Sequence, residues 1–297
     1  MRSGDNNPAK AMTETSFSCH GRKLAALVSG DPPGTPLLAL HGWLDNAESF
    51  APLAAQLPGF HLVALDLAGH GRSDHRGADG EYNIWSDLPD IAAVSAQLGW
   101  RQFHLIGHSR GAIVAALAAC AMPQRMLSLI MLDAFPSPGA AAGDMPRQLG
   151  SYVTDKLHLF ERPGRRYQSV EEAIALRQKE GMVSSSFRRL VERNLRRTES
   201  GQWKWRTDPR VKGASAFKLT AEHNAALAAA LKMPTLLLLA EDGIARLGFA
   251  NSALAGQRAV QMEVLPGSHH FHMETTVTEV AERVRLWCSG EQMSCVG

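Results

Sequence analysis

In Gly107-His108-Ser109-Arg110-Gly111 a serine stands between two glycines, after the apolar run Phe103 to Gly107 and before the alanine-rich run Ala112 to Ala121. A serine hydroxyl is a weak nucleophile until a base takes its proton, and it must be presented where a substrate can reach it. A sharp strand-to-helix turn does the presenting, and it leaves room only for small residues two positions either side of the serine. Gly107 and Gly111 hold those positions. The spacing therefore predicts a nucleophile turn at Ser109.

Such a serine needs two kinds of help. His41-Gly42 ends an earlier apolar run and leads into Trp43-Leu44-Asp45-Asn46. The backbone N–H of Trp43 is expected to point into the same space as that of Arg110, and two preorganised amides there form an oxyanion hole. The base is expected to follow the serine in chain order, in a loop after the last strand. Pro266 to Glu274 is such a stretch and holds His269, His270 and His272, three of the twelve histidines. Clustered histidines also suit metal ions, but no neighbouring Asp or Cys in the sequence completes a ligand set, so no metal and no cofactor are expected.

These residues have to be held by a regular scaffold. Short apolar runs recur at Pro36 to Gly42, His61 to Gly69, Phe103 to Ser109, Leu127 to Asp133, Pro234 to Ala240 and Gln261 to Gly267, most of them followed by stretches that could be helical. Continuous apolar strands are what a parallel sheet buried on both faces requires. Strands alternating with helices give an α/β fold with right-handed crossovers. Ser16 to Ser29 reads as an edge hairpin turning near Gly21, and Val277 to Cys288 as the last helix, with Val277, Val280, Ala281, Val284 and Leu286 on its apolar face. The alternation stops between Phe135 and Met233, a stretch too long for an ordinary loop. It reads as helices (Glu171 to Lys179, Phe187 to Arg197, Ala221 to Lys232) without a buried strand. The expected organisation is a core from residues 1–135 and 233–297, with 1–12 a disordered extension, and an inserted helical unit over 136–232.

Composition narrows the partners. With 297 residues, 45% apolar and 20% charged, the chain can bury a large core. A formal charge of +2, without basic runs interleaved by aromatics, argues against nucleic acid. Residues 137–232 are basic, with eighteen Lys and Arg against ten Asp and Glu. That charge reads as a solvated helical face, or as a means of attracting an anionic substrate. Cys19, Cys120, Cys288 and Cys295 form no CxxC pair and are expected to be reduced thiols. The apolar runs are shorter than the ~20 residues of a membrane span, and the N-terminus lacks an apolar leader. A cytoplasmic location, away from membranes, is expected. Nothing in the pattern specifies an oligomeric state.

The stretches HGWLDNAESF, DLAGHGRSD, LIGHSRG and PGSHHFHME, in that order, resemble the α/β-hydrolase superfamily, and HGWLDN with GHGRSD is most similar to its serine-hydrolase-like subgroup. The resemblance spans nearly the whole chain and is thin in the inserted unit. It implies a mostly parallel central sheet flanked by helices, with a helical cap inserted after the sixth strand. In that family the catalytic histidine commonly precedes a second histidine by three residues, which selects His269, with His270 as fallback. Many relatives carry their acid as GxxD after the seventh strand, where this chain reads Ala240-Glu241-Asp242-Gly243. Glycine stands in the usual aspartate slot, so Asp242 is one candidate. Asp133, at the end of the sixth strand, is the other and is preferred. The GHGRSD stretch is expected to be a structural turn below the site. The resemblance implies a carboxylesterase-like serine hydrolase acting on a small acyl substrate through Ser109, His269 and Asp133 or Asp242. A thioesterase or carbon–carbon bond hydrolase would use the same residues, and the fold also hosts non-catalytic ligand-binding proteins. Serine at position 109 disfavours epoxide hydrolase and dehalogenase chemistry, for which relatives use aspartate.

Overall fold

The computed structural model describes residues 12–135, 139–159, 164–178, 185–244, 259–274 and 276–290, with Leu254 and Gln257. Eight strands form one sheet: β1 (Thr13–Cys19), β2 (Arg22–Ser29), β3 (Thr35–Leu40), β4 (Phe60–Leu65), β5 (Phe103–His108), β6 (Met126–Leu132), β10 (Thr235–Asp242) and β11 (Val260–Ser268). Their spatial order is β1-β2-β4-β3-β5-β6-β10-β11. β2 runs antiparallel to β1 and to β4, and every other pair is parallel. The hairpin turns through His20 and Gly21, both at positive φ.

The apolar runs are continuous because each strand feeds two cores. Leu38 and Leu40, Met131 and Leu129, and Leu237 and Leu239 face one. Leu37 and Ala39, Ile130 and Leu132, and Leu236 and Leu238 face the other. The helices α2 (Leu88–Gln97) and α3 (Arg110–Ala121) cover the first, through Ile91, Val94, Ala112, Ala115 and Ala119. The short α1 (Ala51–Ala54) and the final helix Val277–Ser289 cover the second. On that final helix the contact continues from Val284 to Trp287 and Cys288, not to Leu286, because three or four residues return a helix to the same face.

Between β6 and β10 the chain builds the cap. Its helices are α4 (Met145–Leu159), α5 (Val170–Gln178), α6 (Ser185–Arg193) and α7 (Ala221–Ala230), so the final helix is α8. The expectation of a strand-free insertion is corrected: β7 (Arg166–Tyr167), β9 (Trp203–Trp205) and β8 (Leu195–Arg197) form a small antiparallel sheet in that order. The helix predicted over Phe187 to Arg197 therefore ends at Arg193 and turns into a strand. Tyr167, Ala173, Ile174, Phe187, Leu190, Val191 and Leu195 give the cap its own core, and Met273 from the core unit enters it.

Polar contacts fix the cap to two loops that the sequence marks strongly. Asn46 Nδ2 donates to the Leu190 carbonyl (2.8 Å) and Trp43 Nε1 to that of Val211 (3.1 Å). Arg193 pairs with the fully buried Asp66, 2.8 Å away, and Asn194 Oδ1 accepts from the Gly71 amide at 3.0 Å. The GHGRSD turn thus carries part of the cap as well as bending the chain. Gly71 is required there, since a Cβ would lie 2.2 Å from Asp66 Oδ2. Among the described residues no helix is long and apolar enough to cross a membrane. The proposed disordered extension, apart from Met12, lies outside the described residues, as does Cys295.

Candidate active site

Ser109 sits between β5 and α3 with φ 51° and ψ −121°, a conformation that costs free energy for any side chain and is held by its surroundings. Its N–H donates to the Leu132 carbonyl at the end of β6 (3.0 Å). The flanking glycines are obligatory for a steric reason. A Cβ on Gly107 would lie 2.3 Å from the Gly111 carbonyl oxygen, and one on Gly111 would lie 2.1 Å from that of Leu40. Close packing of strand, turn and helix is therefore what those glycines permit.

The Gly111 contact also brings the end of β3 beside the serine. His41 follows β3 and braces the next turn, its Nδ1 donating to the Gly42 carbonyl (2.8 Å) while its Nε2 accepts from the Leu67 amide (3.0 Å). Among the described residues the Trp43 and Arg110 amides make no hydrogen bond. The Arg110 side chain is anchored away from its own backbone by Asp87, at 2.8 Å. Two free amides at the end of β3 and the start of α3 fit the expected oxyanion donors.

The loop after β11 places His269 against Asp133. Its Nδ1 lies 2.5 Å from Asp133 Oδ2. A carboxylate only accepts, so Nδ1 carries the proton and Nε2 is left with a lone pair, the form a general base needs. Asp133 is fully buried, has φ 44°, and also accepts from the Ala240 (3.2 Å) and Ile244 (2.9 Å) amides. Asp242 is exposed at the end of β10, beside Ser268 in the sheet register, and makes no hydrogen bond to His269. The fallback, His270, points elsewhere, to Asp45 Oδ2 at 3.2 Å. Among the described residues the Ser109 hydroxyl makes no hydrogen bond.

Glycine in the usual aspartate slot has a geometric counterpart. A Cβ on Gly243 would lie 2.2 Å from Asp133 Oδ1 and 2.4 Å from Oδ2. The side chain absent at 243 is the space that the Asp133 carboxylate fills. Gly243→Ala is expected to push that carboxylate off His269 and to lower kcat by about 10- to 100-fold, because small misplacements of catalytic groups are costly. Steady-state kinetics beside an unchanged melting temperature checks it.

Buried histidines lie near the site and also at the far ends of β4 and β5, where His61 and His104 stand. Burial lowers the pKa of His41, His61, His70, His104, His108 and His272, that of His104 to about 4 from 6.5. His270 moves the other way: burial lowers it, but the hydrogen bond to Asp45 and the negative charges of Asp45 and Glu274 together outweigh that and raise it. The unfolded chain binds protons first as pH falls below 6.5, so the depressed group costs stability through that window, by about 3 kcal/mol for His104 alone. The six depressed histidines act below pH 6.5, whereas the raised His270 loses its contribution as pH rises above 6.5. The urea midpoint is expected to fall steeply from pH 6.5 towards 4 and to decline more gently as pH rises above 6.5.

Some cap bases are compensated nearby: Arg177 by Asp45 (2.9 Å), Arg188 by Glu171 and Glu192 (3.3 Å each), and Arg189 by Glu48 (3.7 Å). Sequence reading missed Asp45, Asp66, Arg177 and Arg193, because each meets its partner across more than a hundred residues.

A doubly covered parallel sheet, a strained serine turn and a buried Asp–His pair define a class of protein, and a family model described as the alpha/beta hydrolase fold matches residues 35–275. The chain belongs to the α/β-hydrolase superfamily. A serine hydrolase-like protein of Danio rerio is 27% identical over 84% of this chain and 81% of its own. One of Dictyostelium discoideum is 28% identical over 81% of this chain and 71% of its own. A hypothetical protein of Pseudomonas aeruginosa PAO1 has a solved structure that superposes with a TM-score of 0.84, at 36% identity over 93% of this chain and 98% of that one. These likenesses support a hydrolase.

Proposed function

We propose that the protein is a serine hydrolase that cleaves a carboxylic ester or related acyl substrate through an acyl-enzyme. His269 Nε2 takes the proton of Ser109, whose oxygen adds to the substrate carbonyl. The developing oxyanion is held by the Trp43 and Arg110 amides, and the proton passes from His269 to the leaving group as the tetrahedral adduct collapses. A water molecule, deprotonated by His269, then adds to the acyl-enzyme and releases the acid with Ser109 restored. Asp133 orients the imidazole and stabilises it when charged, without taking its proton. The observation that carries the reading is the 2.5 Å contact between His269 Nδ1 and buried Asp133, at the same sheet edge as the strained Ser109.

Labelling with a fluorophosphonate tests it. Intact protein is expected to be labelled at Ser109 and to release an alcohol in a burst from activated acyl esters, while Ser109→Ala does neither. Folded protein that stays unlabelled and shows no burst would make this a non-catalytic member of the fold.

A further inference from the structure

Beside His269, three donors from distant parts of the chain converge. They are Asp45 Oδ2 from the loop after β3, His108 Nδ1 from the last residue of β5, and His270 Nε2 from the loop after β11, all within 4.8 Å of one another. From these we propose that Asp45, His108 and His270 form a binding site for a divalent transition-metal ion of the Zn²⁺ class.

His108 carries most of the argument. Its Nε2 lies 2.8 Å from the His269 carbonyl oxygen, which can only accept, so the proton is on Nε2. The lone pair therefore lies on Nδ1, which is buried and has no hydrogen-bond partner among the described residues. It faces Asp45 Oδ2 across 3.9 Å. Oδ2 accepts from His270 Nε2, but His108 Nδ1 is left facing a second acceptor, an unfavourable contact that a cation displacing the His270 proton, or a water donating to Nδ1, would relieve. Metal-bound histidines characteristically give their other N–H to a carbonyl or carboxylate, as His108 does.

The other donors are arranged to match. Arg177 occupies Asp45 Oδ1 at 2.9 Å and leaves Oδ2 for one-toothed ligation. The 3.2 Å separation of Asp45 Oδ2 and His270 Nε2 is close to the ~3.4 Å between donors of a tetrahedral ion with bonds of about 2.1 Å. The 3.9 Å between His108 Nδ1 and Asp45 Oδ2 has to close by a fraction of an ångström. Glycine at 42 keeps the space open: a Cβ there would stand 2.9 Å from His108 Nδ1 and 3.0 Å from Asp45 Oδ2. Two imidazoles and one carboxylate favour Zn²⁺, Co²⁺ or Ni²⁺ over Mg²⁺ or Ca²⁺, which prefer all-oxygen sets. Three protein ligands leave the fourth position to water.

Metal-stripped, tag-free protein is titrated with Zn²⁺ by calorimetry and with Co²⁺ by visible absorption, beside His270→Gln and Asp45→Asn whose folding is checked by thermal melting. One equivalent per chain is expected, with the intense visible bands of four-coordinate Co²⁺. Either substitution is expected to weaken binding by about 100-fold or more. Absence of saturable binding in the intact protein, or wild-type stoichiometry and affinity in His270→Gln, overturns the site and leaves a water between the acceptors. If Asp45→Asn does not fold, the intact protein and His270→Gln decide. Neither reading depends on turnover, so the result stands apart from the proposed hydrolase chemistry.

Discussion

Asp133→Asn is expected to lower kcat by about ten-thousand-fold, whereas Asp242→Asn leaves it within about twofold. Asp133 presents acceptors to three donors at once: the Ala240 and Ile244 amides and His269 Nδ1. An asparagine there keeps the size but has only one accepting oxygen, whereas the Ala240 amide uses Oδ1 and the Ile244 amide shares Oδ2 with His269, so its NH₂ must oppose a donor in either orientation. With the NH₂ in the Oδ2 place it requires a lone pair on Nδ1. The ring responds by carrying its proton on Nε2, the nitrogen that must take the proton of Ser109. A histidine locked in the wrong tautomer loses about that much rate even with its geometry intact. Asp242, exposed and without a hydrogen bond to His269, exerts no such control. The measurement is kcat for an activated ester on both variants, with folding verified by melting. Turnover lost in Asp242→Asn and kept in Asp133→Asn would reverse the assignment of the acid.

That assignment marks where the sequence stops being informative. The nucleophile turn was legible because its requirement is local: Gly107 and Gly111 lie two residues from Ser109, and their missing side chains are spaces filled by neighbouring backbone. The core strands were legible because burial on both faces writes a continuous apolar run. The choice between Asp133 and Asp242 was not, since it depends on a positive φ at Asp133 and on a loop 110 residues later. One signal was present: glycine at 243, read alone as a missing acid, is also the vacancy that the carboxylate of Asp133 requires. The same holds for the histidine loop. Scanning near His270 finds no Asp or Cys to complete a ligand set, yet the fold delivers Asp45 from 225 residues away. The cap strands escaped for a different reason, being two or three residues long, too short to display alternation.

Arg193→Met is expected to destabilise the protein by about 3–5 kcal/mol, the range found when one partner of a buried ion pair is removed. Arg193 ends α6 and lays its guanidinium against Asp66, with Nε 3.1 and 3.0 Å from the two carboxylate oxygens. Asp66 is fully enclosed, and its other partners are the backbone amides of Ala47 and Arg72, both at 2.8 Å. Methionine keeps much of the apolar stem but leaves a carboxylate in a low-dielectric seam with no cation. The remaining amides reduce the penalty without cancelling it. The ion pair as a whole is a different quantity, because burying two charges costs nearly as much as their attraction returns. Adding Asp66→Asn to Arg193→Met should therefore recover part of the loss. Urea denaturation of the wild type, the single variant and the double variant separates these contributions. A single variant within about 1 kcal/mol of wild type would mean that water reaches Asp66 when the cap loosens. In that case α6 is held chiefly by Asn46, Asn194 and the apolar contacts of Phe187 and Leu190, and the Asp66–Arg193 pair orients the cap on the core without stabilising it.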